Sequence, residues 1–337
     1  MAPSEPLEEA PFENTRSSFR FNGIHYVSWW HDEYANSGAA DESMNALAAT
    51  HANWAGILVT WYQADIAATV IYPDAQKTPT DEAVTYAIRQ LQSRGLKILL
   101  KLHVDGADGS WRGQFNPPDA DAWFQSYSDF ILYYARLAQS LGVEGIVIGT
   151  EYVMLSGAQN QAHWQALIGD IRSAFSGILT YAANATHTGD EFTQVSFWDK
   201  LDLIGIDGYF PLTKFGDPSV AQLAAAWSRN LNGSNLVEVI QNLSSAFNKP
   251  VIFTEIGYRS ITGTNTRPWD AALTGVYDPA AQANCYQAFF EVWSNFSAWM
   301  QGAFWWDWPV AGPLSMDTGY SPRGKPAGEV VTNWYGT

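Results

Sequence analysis

Eight short apolar runs, separated by segments of helical periodicity, constrain this chain more than any other feature. They fall around 23–29, 56–62, 97–104, 145–151, 178–184, 202–207, 250–255 and 302–307. Strands apolar on both faces belong to a parallel sheet covered by helices, because a half-solvated antiparallel strand would alternate. The intervening segments carry helix signals. Over 81–94, Thr80 caps the N-terminus, Asp81 and Glu82 complement the dipole, Val84, Ile88 and Leu91 share a face, and Gly95 ends the run. Over 119–140, Trp123, Tyr127, Phe130 or Ile131, Tyr134 and Leu137 recur at helical spacing. Eight such units predict one α/β domain, a single (β/α)8 TIM barrel over residues 20–337, with residues 1–19 as an N-terminal extension. An open doubly wound sheet would instead carry a Gly-rich phosphate turn after its first strand. The residues there, GIHYVSWWHDEY, contain no G-x-G-x-x-G, which argues against dinucleotide binding.

Composition narrows the function. A net charge of −16 with only 18 Lys plus Arg argues against a polyanion such as nucleic acid and favours a neutral partner. No apolar run nears the roughly 20 residues that span a bilayer, so no membrane partner is expected. The opening MAPSEPLEEAPFENTR lacks the basic and apolar regions of a signal peptide. With one cysteine, Cys285, no internal disulfide forms, which leaves the compartment open, export included. Oligomeric state is not legible. Aromatic residues make up 15% of the chain, 16 of them Trp, and sugar rings stack on such platforms.

Two glutamates close apolar runs: Glu151 ends GIVIGTE and Glu255 ends PVIFTE. The interval between them is roughly three strand-plus-helix units of about 30 to 35 residues, placing them at the tips of barrel strands four and seven. Strand tips form the catalytic face of this barrel, and facing carboxylates there are what glycoside hydrolysis needs. Parity puts Val251, Phe253 and Glu255 on one inward face, so that Glu255 could attack an anomeric carbon. On the other strand Val147, Gly149 and Glu151 share a face, with Gly149 leaving room for substrate or a neighbouring side chain beneath a general acid, Glu151. The alternatives are a solvated acid or an ion pair, for Glu255 with a residue such as Arg259.

Several strings carry a resemblance. IGTEY, FTEIG, DGSWR at 108–112 read with the preceding KLHVDGA, GYFP at 208–211, RPWD at 267–270 and the closing FWWDWP are similar to glycoside hydrolase family 113, over about residues 20 to 335. That family belongs to a large clan of retaining (β/α)8 enzymes and consists mainly of endo-β-1,4-mannanases. The resemblance implies Glu151 as acid/base, Glu255 as nucleophile, and a neutral β-linked oligo- or polysaccharide as partner. Many clan members place Asn immediately before the acid/base to hold the substrate 2-hydroxyl, whereas this chain has Thr150. Tyr209 resembles the tyrosine whose hydroxyl bonds the nucleophile.

Trp111 and Arg112 sit in the loop after strand three, where a ring could stack on a sugar and a guanidinium could orient hydroxyls or a carboxylate. One of Trp305 and Trp306 is expected to floor the scissile sugar, and parity does not choose between them. Asn184, ending strand five, and Trp30, following strand one, are candidates for lining subsites. Lys101 and His103 share the inward face of strand three, with Asp207 placed to orient either. A Schiff-base lysine would make an aldolase and clustered histidines a metal hydrolase, but strand one offers only His25, so His103 is read as a substrate-side residue and no metal or cofactor is expected. The mechanism expected is double displacement, with the carboxyl groups about 5 to 5.5 Å apart. Action on β-glucan or a bacterial exopolysaccharide is the neighbouring reading, and a non-catalytic sugar-binding barrel the one from another class.

Overall fold

A computed structural model describes residues 17–35, 37–187, 190–312 and 315–336; most of the N-terminal extension expected over 1–19 lies outside them. The elements run β1 (Phe21–Val27), α1 (Ser37–Ala48), β2 (Trp54–Gln63), β3 (Ile71–Tyr72), α2 (Asp81–Ser93), β4 (Lys97–Gly106), α3 (Ala120–Leu141), β5 (Gly145–Thr150), α4 (Gln161–Ala174), β6 (Ile178–Ala185), β7 (Ile204–Gly208), α5 (Val220–Ser228), α6 (Leu236–Phe247), β8 (Val251–Ile256), α7 (Pro279–Trp293), β9 (Met300–Pro309) and α8 (Pro326–Tyr335). Parallel pairing runs β1, β2, β4, β5, β6, β7, β8, β9 and back to β1, closing a (β/α)8 barrel. The short β3 pairs antiparallel with β2 outside the ring.

The helices begin and end where the sequence chemistry requires. Thr80 accepts from the Ala83 N–H to start α2, and Asp119 accepts from Ala122 to start α3. Gly142, in the left-handed conformation that costs a residue without Cβ little, ends α3. The α3 face bearing Trp123, Tyr127, Ile131 and Tyr134 is buried against the sheet, and burying each such side chain contributes roughly 1.5 to 3 kcal/mol.

Inside the ring the side chains form two levels. The floor is apolar: Phe21, Trp54, Leu99, Val147, Ala182, Leu203, Ile252 and Phe304 meet there, one from each barrel strand or its edge. Above it lies a polar level of His25, Lys101, Asp207 and Thr254, all buried. Gly56 makes room for this level, since a Cβ there would stand 2.1 Å from His25 Nδ1. The closed floor excludes solvent from below, so the polar level can interact only with itself and with whatever occupies the cavity above.

Simple strand parity does not survive to the strand tips. Val251 and Phe253 face outward, Phe253 packing against Trp227, Phe289 and Trp293, which corrects the inward row expected for them. Ile206 pairs with Phe253 but Asp207 with Glu255, so β8 carries one extra residue at this point. That bulge turns both Thr254 and Glu255 to the interior. A similar irregularity lies between Val147 and Thr150 on β5. There Gly149 faces the outer layer, its missing Cβ leaving space for Tyr181 at 2.7 Å and Trp164 at 3.0 Å rather than for substrate.

Candidate active site

Both glutamates stand at the C-terminal mouth of the barrel, lining one cavity of about 600 Å³. Glu255 is held from below and from the side. Lys101 Nζ lies 2.6 Å from Glu255 Oε1, and the Tyr209 hydroxyl donates to Oε2 at 2.9 Å. The same Lys101 donates to both oxygens of Asp207, at 2.9 and 3.1 Å, and Thr254 Oγ1 donates to Asp207 at 2.8 Å. Two buried carboxyls therefore share one ammonium. Burial and then the Glu255 charge push Asp207 well above its ordinary value. Burial also pushes Glu255 upward, but the Lys101 charge, with smaller contributions including Arg112, outweighs it and holds the carboxyl below its usual range. Of the pair, Asp207 is thus the one that takes up a proton first and Glu255 the one that stays ionised. Tyr209, raised by burial and then by Glu255, stays protonated and able to donate.

The polar level completes this support. His25 Nε2 donates to the Thr254 carbonyl at 2.6 Å, and burial followed by the nearby Lys101 charge lowers its pKa to about 4, so the ring is neutral. His103 is kept neutral by burial and then by Arg112 and Lys101. Its Nε2 lines the cavity 3.8 Å from Glu255 Oε1 and has no hydrogen-bond partner among the described residues. That leaves it free to engage a hydroxyl of a bound ligand. Lys101, engaged by two carboxyls, is no free amine for a Schiff base. Among the described residues no three His, Cys, Asp or Glu gather as a metal site. Arg259, suggested as a partner for Glu255, instead binds carbonyls of Thr318, Ala271 and Leu273.

Glu151 enters the cavity by an unusual backbone. Its φ is 56°, a left-handed conformation that costs a residue with a Cβ roughly 1 to 2 kcal/mol, and its N–H is tied to Ala182 O at 2.8 Å. Asn184 Nδ2 donates to Glu151 Oε1 at 2.8 Å, and Arg112 lies 3.7 Å from Oε2. Arg112 is itself fixed by Asp105, at 2.6 and 3.0 Å. Thr150 takes no part, its hydroxyl directed to Leu102 O at 3.4 Å. The backbone cost gives a stability prediction: Glu151→Gly should unfold in urea with about 1 kcal/mol more stability than Glu151→Ala. Equal stability of the two would mean that the left-handed backbone is not held in solution.

The aromatic candidates divide. Trp306 lines the cavity, its ring parallel to His103 with centroids 6.5 Å apart, while Trp305 is fully buried on the outer side, stacked on Tyr286 at 3.7 Å. Trp111 lines the cavity and is half exposed. Trp30 does not line it; its neighbour Trp29 does, edge-on to Trp306. The Ser28 hydroxyl bonds the backbone of Trp30 on both sides, forming a tight turn at the end of β1 in which Trp29 is the residue that meets Trp306. Trp269, His187 and Tyr320 also line the cavity, and none was expected there. The string RPWD carried the signal for Trp269; nothing local marked Tyr320, whose hydroxyl anchors that loop through Pro268 O.

The sequence model of glycoside hydrolase family 113 matches residues 26–325. The chain belongs to glycoside hydrolase family 113. Among solved structures, a GH113 β-1,4-mannanase superposes with a TM-score of 0.82 at 25% identity, covering 94% of this chain and 98% of the other. The GH113 β-mannanase AaManA from Alicyclobacillus acidocaldarius gives a TM-score of 0.82 at 27% identity, covering 94% of this chain and 97% of that one. A β-glucuronidase from Ruminococcus gnavus, at 11% identity and a TM-score of 0.63, shares the barrel fold over 49% of its own length. No curated protein matches the chain in sequence. This family 113 protein is a retaining glycoside hydrolase on a single (β/α)8 barrel.

Proposed function

We propose that the protein is an endo-β-1,4-mannanase that works by double displacement, with Glu255 as nucleophile and Glu151 as acid/base. The observation that carries this reading is the asymmetry of the two carboxyls in one cavity. Glu255 is buried and charge-paired so that it stays ionised, while Glu151 accepts from an amide at the rim. In the first step Glu255 forms a bond to the anomeric carbon as the glycosidic bond breaks, and the Glu151 proton passes to the departing oxygen. In the second, Glu151 takes a proton from water, whose oxygen displaces Glu255 from the same carbon, giving net retention. Arg112, 3.7 Å from Glu151 Oε2, stands beside the carboxyl that takes the proton from water in the second step. Trp29, Trp111, Trp269 and Trp306, on four separate segments around the cavity, offer faces for sugar rings. The mannanase reading of the substrate is supported by the relatives, which are named β-1,4-mannanase and β-mannanase.

Incubation with β-1,4-mannan, glucomannan, β-glucans and xylan, followed by reducing-end and product-size analysis, tests the substrate. Mannan and glucomannan should yield a ladder of short oligomers from the earliest times. Preferential cleavage of β-glucan or xylan would overturn the mannan assignment and keep the glycosidase. Saturable binding of mannan without any cleavage would favour a non-catalytic barrel.

A further inference from the structure

We infer that Glu191 is a positioning residue for the acid/base, an inference that rests on the reading of Glu151 given above. Glu191 follows β6 in a short helical turn, lies outside the cavity and is 1% exposed. Its Oε1 accepts from the Tyr181 hydroxyl at 2.5 Å, and its Oε2 accepts from the Asn184 backbone N–H at 2.7 Å. Each of these partners leads to Glu151. The Tyr181 hydroxyl accepts from the N–H of Tyr152, the residue immediately after Glu151, at 2.8 Å. The Asn184 side chain donates to Glu151 Oε1. One carboxyl thus fixes both the backbone that follows the acid/base and the amide that bonds its oxygen.

Two features favour this role over simple loop-tying. A left-handed Glu151 persists only where its surroundings over-determine it, and Tyr152 N–H is one of the few backbone groups available to do so. Among the described residues no Lys or Arg forms an ion pair with Glu191, so a carboxyl is buried at a cost that a plain structural tie does not require. The requirement is an acceptor at each end, which a carboxyl supplies whether or not it carries its charge.

The test compares kcat/KM for phenyl and 2,4-dinitrophenyl β-mannobioside, because the dinitrophenolate departs without a proton and phenolate does not. Glu191→Ala should lose about 10- to 100-fold on the phenyl substrate, as displaced catalytic groups do, and less than about 3-fold on the dinitrophenyl one. Glu191→Gln, which keeps an acceptor for the Asn184 N–H but turns a donor to the Tyr181 hydroxyl, should recover only part of the loss, with the same selectivity for the phenyl substrate. If the alanine protein fails to fold, Tyr181→Phe, which cuts the same path, should show the same selective loss. Equal losses on both substrates, or none on either, would overturn the inference. Glu151→Ala is measured alongside: if it too lacks leaving-group dependence, the acid/base reading itself fails. If Glu151→Ala shows the dependence and the Glu191 and Tyr181 variants do not, only the positioning role is lost.

Discussion

Glu255→Ala should lose kcat by a factor on the order of 10⁵ or more on mannan, as enzymes do when the nucleophile of a covalent mechanism is removed. Folding should survive, because the variant removes a buried charge together with its desolvation cost, leaving Lys101 still paired with Asp207. With Glu255 as the proposed nucleophile, the space vacated at its carboxyl would face the anomeric carbon on the side of attack. Azide added to the Glu255→Ala protein with an activated aryl β-mannobioside should enter there and give the α-glycosyl azide. In Glu151→Ala the covalent intermediate still forms from the activated substrate, and azide then arrives from the opposite face to give the β-azide. Product anomers are read by NMR. The reverse pairing of variants and anomers would exchange the two roles, and activity near wild type in Glu255→Ala would remove it from the chemistry.

Lys101→Met carries the second large effect. The ammonium stands 2.6 Å from Glu255 and 2.9 Å from Asp207 in a level of the barrel closed to solvent, where a charge pair is little screened. Without it, burial acts on both carboxyls unopposed by their main counter-charge, and Glu255 rises. The proposed nucleophile must be ionised to attack, so the acidic limb of the kcat/KM profile, held low by Lys101, should move to higher pH, and kcat/KM at pH 7 should fall roughly 10²- to 10³-fold. The linkage runs the same way. Glu255, depressed in the folded state, contributes stability that is present above its unfolded value and is lost as pH falls through its lower folded value. The variant should lose that contribution and, as a broken buried ion pair, about 3 to 5 kcal/mol of stability in urea unfolding at neutral pH. An unshifted acidic limb would show that Lys101 does not set the charge of Glu255.

The barrel was legible because its strands are buried on both faces, so that each reads as an apolar run whatever its register. Residues whose inward direction follows unbroken alternation, such as Lys101 and His103 on β4, were placed by parity. Parity failed where the ladder is irregular. The extra residue before Glu255 and the left-handed backbone at Glu151 turn side chains in ways that no two-residue period anticipates. Both glutamates were found from their position at the ends of apolar runs, not from the faces they share. The Lys101–Asp207 pair was blurred for another reason: 106 residues separate its members, and only barrel closure brings them together. Trp29 against Trp30 and Trp306 against Trp305 are adjacent alternatives decided by a tight turn and by outer packing on Tyr286, neither of which is a local signal.

A covalent intermediate on Glu255 would fix the configuration of the first product released. Proton NMR of mannan-oligosaccharide hydrolysis, recorded before mutarotation equilibrates the ends, should show the β-anomer of the new reducing end rising first and the α-anomer following slowly. Initial appearance of the α-anomer would mean direct attack by water, and would contradict double displacement by Glu151 and Glu255.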